Sequence, residues 1–91
     1  MKLLVFGAES WCGPCRAQRK IIDAYIELHP EIEDRIEMLD IDQKQVYTLA
    51  EQFGVMSIPA LFIVKEDRIP VAKHFGLLNT QQFEDFIKGY L

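Results

Sequence analysis

The chain holds two thiols, Cys12 and Cys15, three positions apart in the segment Trp11-Cys12-Gly13-Pro14-Cys15. Cysteines at that spacing can close a small disulfide ring across one turn of helix. Such a ring encloses almost no loop, so it removes little entropy from the unfolded chain and stabilises the fold little. It is suited instead to being made and broken. Pro14 marks a helix start, because a first-turn proline lacks only an amide that would have had no intrahelical partner. Cys12 then falls at the helix N-terminus, where unpaired amides and the positive end of the dipole favour a thiolate. Cys15 lies one turn further in and faces the protein. The pair reads as an exposed attacking thiol and a buried resolving thiol. Zinc would need two further ligands, and only His29 and His74 remain, without the usual histidine spacing. No metal and no organic cofactor are expected.

The elements that must position this pair follow from the apolar pattern. Residues 2–6 are mostly apolar and end at Gly7-Ala8, which predicts a buried strand. A helix is expected from Cys15 to about His29, with Ala17, Ile21, Ala24 and Leu28 on one face and Ile22, Tyr25 and Ile26 broadening it. Pro30 stops it, since the residue before a proline is pushed out of the α region. Glu31-Ile32-Glu33-Asp34 reads as a solvated loop. A second strand is predicted over Arg35 to Asp40. A second helix presents Val46, Leu49, Ala50 and Phe53, with Gly54 as its cap. Ala60 to Val64 predicts a central strand, and Glu66-Asp67-Arg68 a charged turn. Val71 to Phe75 predicts an edge strand led by Pro70. Asn79 caps a last helix, with Gln82 three residues on and Phe83, Phe86, Ile87 and Tyr90 as its buried face. The order is βαβ, then a helix, then ββα. It predicts an α/β fold with a four-stranded mixed sheet, helices on both faces, the first two strands parallel and the last two an antiparallel hairpin.

Ninety-one residues predict one domain spanning 1–91. An apolar content of 49% excludes disorder. A net charge of −4 argues against nucleic acid and anionic membranes as partners, because both are held by clustered Lys and Arg. The opening Met1 to Phe6 is too short an apolar run for a secretory signal, and no run is long enough for a membrane span. A cytoplasmic location is expected.

Trp11-Cys12-Gly13-Pro14-Cys15 is the active-site motif of the thioredoxin family, and the chain resembles that family from Leu3 to Leu91. Ile58-Pro59 looks like the family's cis-proline element, and Gly76 resembles the glycine lining its substrate groove. The resemblance implies a thioredoxin-like fold and a monomeric protein-disulfide reductase, itself re-reduced by an NADPH-dependent thioredoxin reductase. In that reading Trp11, Gly13, Pro14, Ile58, Pro59 and Gly76 form an apolar patch that holds an extended protein substrate, while Cys12 attacks and Cys15 resolves. Gly13 and Pro14 bring no charge to over-stabilise the thiolate, so the pair is expected to be reducing rather than oxidising. Arg16, Lys20, His29 and His74 read as surface residues. Two other functions compete. One is a glutathione-coupled, glutaredoxin-like reductase, favoured by the short chain. The other is a redox-independent binding module that uses the same patch.

The chain departs from the family's pattern in places. It starts directly at the motif-bearing strand, without the usual extra strand and helix, and so resembles the minimal, glutaredoxin-sized form. The buried acid usually found on the first strand, behind the resolving cysteine, corresponds here to Val5 or Phe6. The lysine that usually partners this acid corresponds to Met38, and the mid-helix proline falls near Lys20. Glu9, the nearest acid in sequence, lies in a loop and is expected to be solvated. Without an acid, release of a mixed disulfide by Cys15 is expected to be slow near pH 7 and to accelerate as pH rises.

Overall fold

The computed structural model describes residues 1–91. Its elements are β1 (Lys2–Gly7), α1 (Gly13–Leu28), a 3₁₀ helix (Pro30–Arg35), β2 (Ile36–Asp40), α2 (Lys44–Gln52), β3 (Ala60–Val64), β4 (Pro70–Phe75) and α3 (Thr80–Ile87). The four strands form one sheet in the order β2-β1-β3-β4. β1 runs parallel to β2, with Val5 opposite Met38 and Gly7 opposite Asp40. β3 is antiparallel to both β1 and β4, with a bulge between Ile63 and Val64. This is the four-stranded mixed sheet that the order of elements predicted, and it agrees with the thioredoxin-like fold that the motif resemblance implied.

Alternation along β1 and β3 divides the core in two, since successive side chains leave a strand on opposite faces. Leu3, Val5, Leu61 and Ile63 pack with Ile22 of α1 and with Phe83 and Ile87 of α3. Leu4, Phe6, Ala60, Phe62 and Val64 pack on the other face with Val46 and Ala50 of α2. Phe6, Phe53 and Phe62 meet at tilted and edge-on angles, with ring centroids 5.1–5.8 Å apart. β1 and β3 are the interior strands, which is why both read as nearly unbroken apolar runs.

The α1 face differs from the one predicted. Its fully buried residues are Cys15, Gln18 and Ile22, while Leu28 is 79% exposed and Ala24 is also exposed. The three buried residues follow the 3–4 spacing of a helix stripe, but the middle one is polar. Gln18 is admitted because its amide satisfies a backbone pair. Its Nε2 donates to the Leu78 carbonyl at 3.2 Å, and the Leu78 amide donates to its Oε1 at 2.8 Å. α1 also begins earlier, at Gly13, with Cys12 as N-cap and proline in the first turn.

Three further corrections concern the polar segments and the last helix. Residues 30–35 form a 3₁₀ helix rather than a solvated loop, and it drops Ile32 into the core at 5% exposure. α3 ends at Ile87, so Tyr90 lies beyond it and is exposed. Phe86 is only partly buried. The predicted caps are present. Asn79 and Gln82 form a reciprocal capping box. Gly54, at φ +70°, ends α2 with bonds from its amide to Glu51 and from the Val55 amide to Ala50. No helix is long and apolar enough to cross a membrane.

Candidate active site

β1 delivers the chain to the edge where the parallel strands β1 and β2 end, and the cysteine pair sits there. The Cys12 amide donates to the Ala8 carbonyl at 3.0 Å, which folds the loop back before α1 starts. The Cys15 amide donates to Cys12 Sγ at 3.2 Å, so the sulfur serves as the helix cap. A capping acceptor is stabilised more as an anion than as a neutral thiol, because charge strengthens the hydrogen bond and the dipole favours it. Cys12 and Cys15 are joined as a disulfide with Cα atoms 5.2 Å apart.

Cys12 is not the exposed residue that was predicted: it is 6% exposed, against 5% for Cys15. Cys12 belongs to a small buried cluster with Ala8 and Cys15, against which Ile41 and Ile58 pack. Exposure is carried by the rim. Trp11 is 60% exposed, and Gly13 and Pro14 are exposed as well. Behind the pair, the strand approaches as closely as a backbone can. A Cβ placed on Gly7 would lie 3.3 Å from both Cβ and Sγ of Cys15. That is tighter than ordinary packing, so the position requires glycine unless the helix gives way.

The remaining predicted residues gather around the same edge. The Ile58-Pro59 bond is cis, Pro59 is buried, and Ile58 packs against the cysteines. Gly76, just after β4, donates its amide to the Pro59 carbonyl at 2.8 Å. Arg16 is exposed and donates from Nη1 to the Glu9 carbonyl at 3.1 Å, and Lys20 is also exposed. His29 stacks on Tyr25 and His74 lies near Phe86. Of the two candidates for the family's acid position, only Val5 faces the Cys15 side, since Phe6 belongs to the opposite core. Val5, Met38, Gly7, Cys15 and Pro59 line a half-open cavity of about 90 Å³, together with the charged residues Glu9, Arg19 and Asp40.

Three residues here escaped the sequence reading. Asp42 accepts from Ser10 Oγ at 2.9 Å and from Trp11 Nε1 at 3.1 Å. Asp40 accepts from the Asp42 amide at 2.9 Å and from the Glu9 amide at 3.3 Å. Together the two acids tie the loop after β1 to the end of β2. A signal for them existed, because parallel pairing of the first two strands puts Asp40-Ile41-Asp42 beside the motif loop. The third is Met56, 87% exposed and two residues before Ile58. Nothing in its local pattern separated it from a core residue.

A helix-capping thiol bonded to a second thiol one turn on, at the end of a mixed sheet and beside a cis-proline, defines a dithiol–disulfide protein of thioredoxin-like fold. The comparisons agree. A family model described as thioredoxin matches residues 1–89, and the chain belongs to the thioredoxin family. It is 32% identical over 81 residues to a thioredoxin of Haemophilus influenzae, covering 89% of this chain and 72% of that one. It is 40% identical over 82 residues to a thioredoxin of Porphyra purpurea, again covering 89% and 72%. A solved structure of chloroplastic thioredoxin z superposes with a TM-score of 0.69 over 93% of this chain and 73% of that one. At 23% identity, that likeness speaks for the fold alone. The protein is a thiol–disulfide oxidoreductase, with Cys12 and Cys15 as its dithiol pair.

Proposed function

We propose that the protein reduces disulfides in extended segments of other proteins and is returned to the dithiol form by an NADPH-dependent thioredoxin reductase in the cytoplasm. The reaction has two steps. The Cys12 thiolate attacks one substrate sulfur, the substrate disulfide breaks, and a mixed disulfide forms. Cys15 then attacks Cys12, the substrate leaves as a second thiol, and the Cys12–Cys15 disulfide remains. Two electrons pass from the pair to the substrate, and no metal or organic cofactor takes part.

The observation that carries this reading is the free backbone beside the pair. Ile58 lies outside every strand and takes no part in the loop backbone hydrogen bonds, so its amide and carbonyl are open to a bound strand. Trp11, Gly13, Pro14 and Gly76 supply surface around it, while Pro59 is buried and underlies the patch rather than adding contact area. Aromatic and apolar contact without charge suits many sequences, as a general reductase requires.

Insulin reduction tests the reading, with NADPH and thioredoxin reductase in one arm and glutathione with its reductase in the other. Turnover confined to the first arm is the expected result. Turnover only with glutathione would move the protein to the glutaredoxin-like reading. A Cys12→Ser, Cys15→Ser double variant that kept full biological function would establish the binding module instead.

A further inference from the structure

Resting on the reductase reading, we infer that Asp40, at the end of β2, relays the proton from Cys15 through the cavity that the two residues share. It would thus do from the second strand what the apolar residues of the first cannot.

The resolving step needs Cys15 as a thiolate, and its surroundings oppose that. It is 5% exposed, and Val5 and Met38 form an apolar floor beside it. Ionising a group among apolar side chains is unfavourable unless its proton has an acceptor. The sheet register brings one close. Gly7 and Asp40 are opposite each other in the parallel pair, so their side-chain directions leave the same face. The Gly7 direction points at Cys15, as the 3.3 Å approach of its notional Cβ shows. Cys15 occupies the space that a side chain at Gly7 would take, and Cys15 and Asp40 both line the cavity beside it. At about 90 Å³ that cavity accommodates a bridging water, for which liquid volume is about 30 Å³.

The other charged groups at this end are less suited. Glu9 is exposed, and its side chain makes no hydrogen bond. Arg19 is held along its own helix by Asp23 at 3.2 Å, and it has no proton-accepting atom. Asp42 bonds outward to Ser10 and Trp11. Asp40 is half-buried and fixed by two backbone amides. A carboxylate offers about four acceptor sites, so two remain for a water in the cavity.

The step balances within the site. The Cys15 proton passes through water to Asp40, and Cys15 Sγ attacks Cys12 Sγ. The bond from Cys12 to the substrate sulfur breaks, and that sulfur leaves with the electron pair. Asp40 returns its proton to solvent at the cavity mouth.

The test is a single-turnover measurement on the whole chain. Cys12 is charged with 5-thio-2-nitrobenzoate, and release of the coloured thiolate by Cys15 is followed between pH 5.5 and 9. Asp40→Asn is compared with the native protein and with Asp40→Glu, all three checked for native circular dichroism. Asp40→Asn is expected to release the probe about ten- to a hundredfold more slowly at pH 6, on the scale of proton-transfer assistance. It should approach the native rate by pH 9, and Asp40→Glu should recover part of the loss. An Asp40→Asn profile overlying the native one, or slower by one constant factor at every pH, would overturn the proposal. The second outcome would show that the carboxylate only ties the loops. If the native protein released no probe at any pH, the reductase reading itself would fall, and this inference with it.

Discussion

At the scale of single residues, the burial of Cys12 changes what its selectivity should depend on. Both cysteines are nearly inaccessible, so exposure alone does not separate them. The hydrogen bond does, because only Cys12 Sγ caps the helix. Limiting iodoacetamide on the reduced protein should therefore label Cys12 first, as read by mass spectrometry; preferential labelling of Cys15 would contradict the capping argument. Trp11 offers a second reading at this scale. It is the only tryptophan in the chain, and its indole is tied to Asp42 at 3.1 Å. Asp42→Ala should shift its fluorescence and free the loop. It should raise KM for protein substrates more than it lowers kcat, because the rim moves while the sulfurs stay. Loss of the two exposed bonds should cost only about 1–2 kcal/mol of stability. An unchanged emission spectrum and KM would show that the tether does not position the ring. The chemistry at this scale was legible before the fold was, since Cys12, Pro14 and Cys15 are adjacent. Asp40 and Asp42 were harder to find: the predicted parallel pairing carries them to the motif across some thirty positions, but the hydrogen bonds that single them out appear only in the folded loops.

At the scale of elements, Gln18 shows where periodicity runs out. A count of apolar residues along α1 favours Ile21 and Leu28, yet the helix buries Gln18 and leaves Leu28 in solvent. The decisive partner is the backbone of Leu78, sixty residues away, and no local pattern reports it. Gln18→Leu would keep the volume and strand two buried polar groups. It should cost about 2–4 kcal/mol in denaturant unfolding, against a fraction of that for Leu28→Gln on the exposed face. Equal losses would mean that the amide pair contributes nothing beyond packing. The caps at Gly54 and Asn79 were readable for the opposite reason. Each is satisfied within a few residues, so chemistry and sequence coincide.

The whole molecule is held by two thin cores divided by one sheet, and each depends on few large side chains. Phe62 is 1% exposed and touches Phe6, Phe53 and Phe75 on the α2 side. Truncating such a residue costs about 3–5 kcal/mol. A domain of this length commands about 5–14 kcal/mol in all. Phe62→Ala should thus remove about a fifth or more of the stability and lower Tm by well over 10 °C in a thermal scan. A shift below 5 °C would mean that α2 collapses onto the sheet to fill the gap. The seat of β1 between β2 and β3 was not predicted, although its apolar run fits an interior strand; the central place of β3 and the edge place of β4 were legible in an unbroken apolar run and in Pro70.

That edge has a consequence for life at high concentration. β4 has no neighbour on its outer side, and an open row of amides and carbonyls is a template on which other chains can build ribbons. Here Pro70 withholds one donor at the start of the strand, and Lys73, exposed in mid-strand, sets a charge where a stacked copy would need none. Across the sheet, β2 carries Glu37, paired with Lys2 and Arg68, on its own outer strand. A protein that offers its backbone at Ile58 to passing substrates must keep its other open strands from recruiting one another. A Pro70→Val, Lys73→Val variant, with its redox pair untouched, should stay active when dilute and turn into light-scattering aggregates when concentrated.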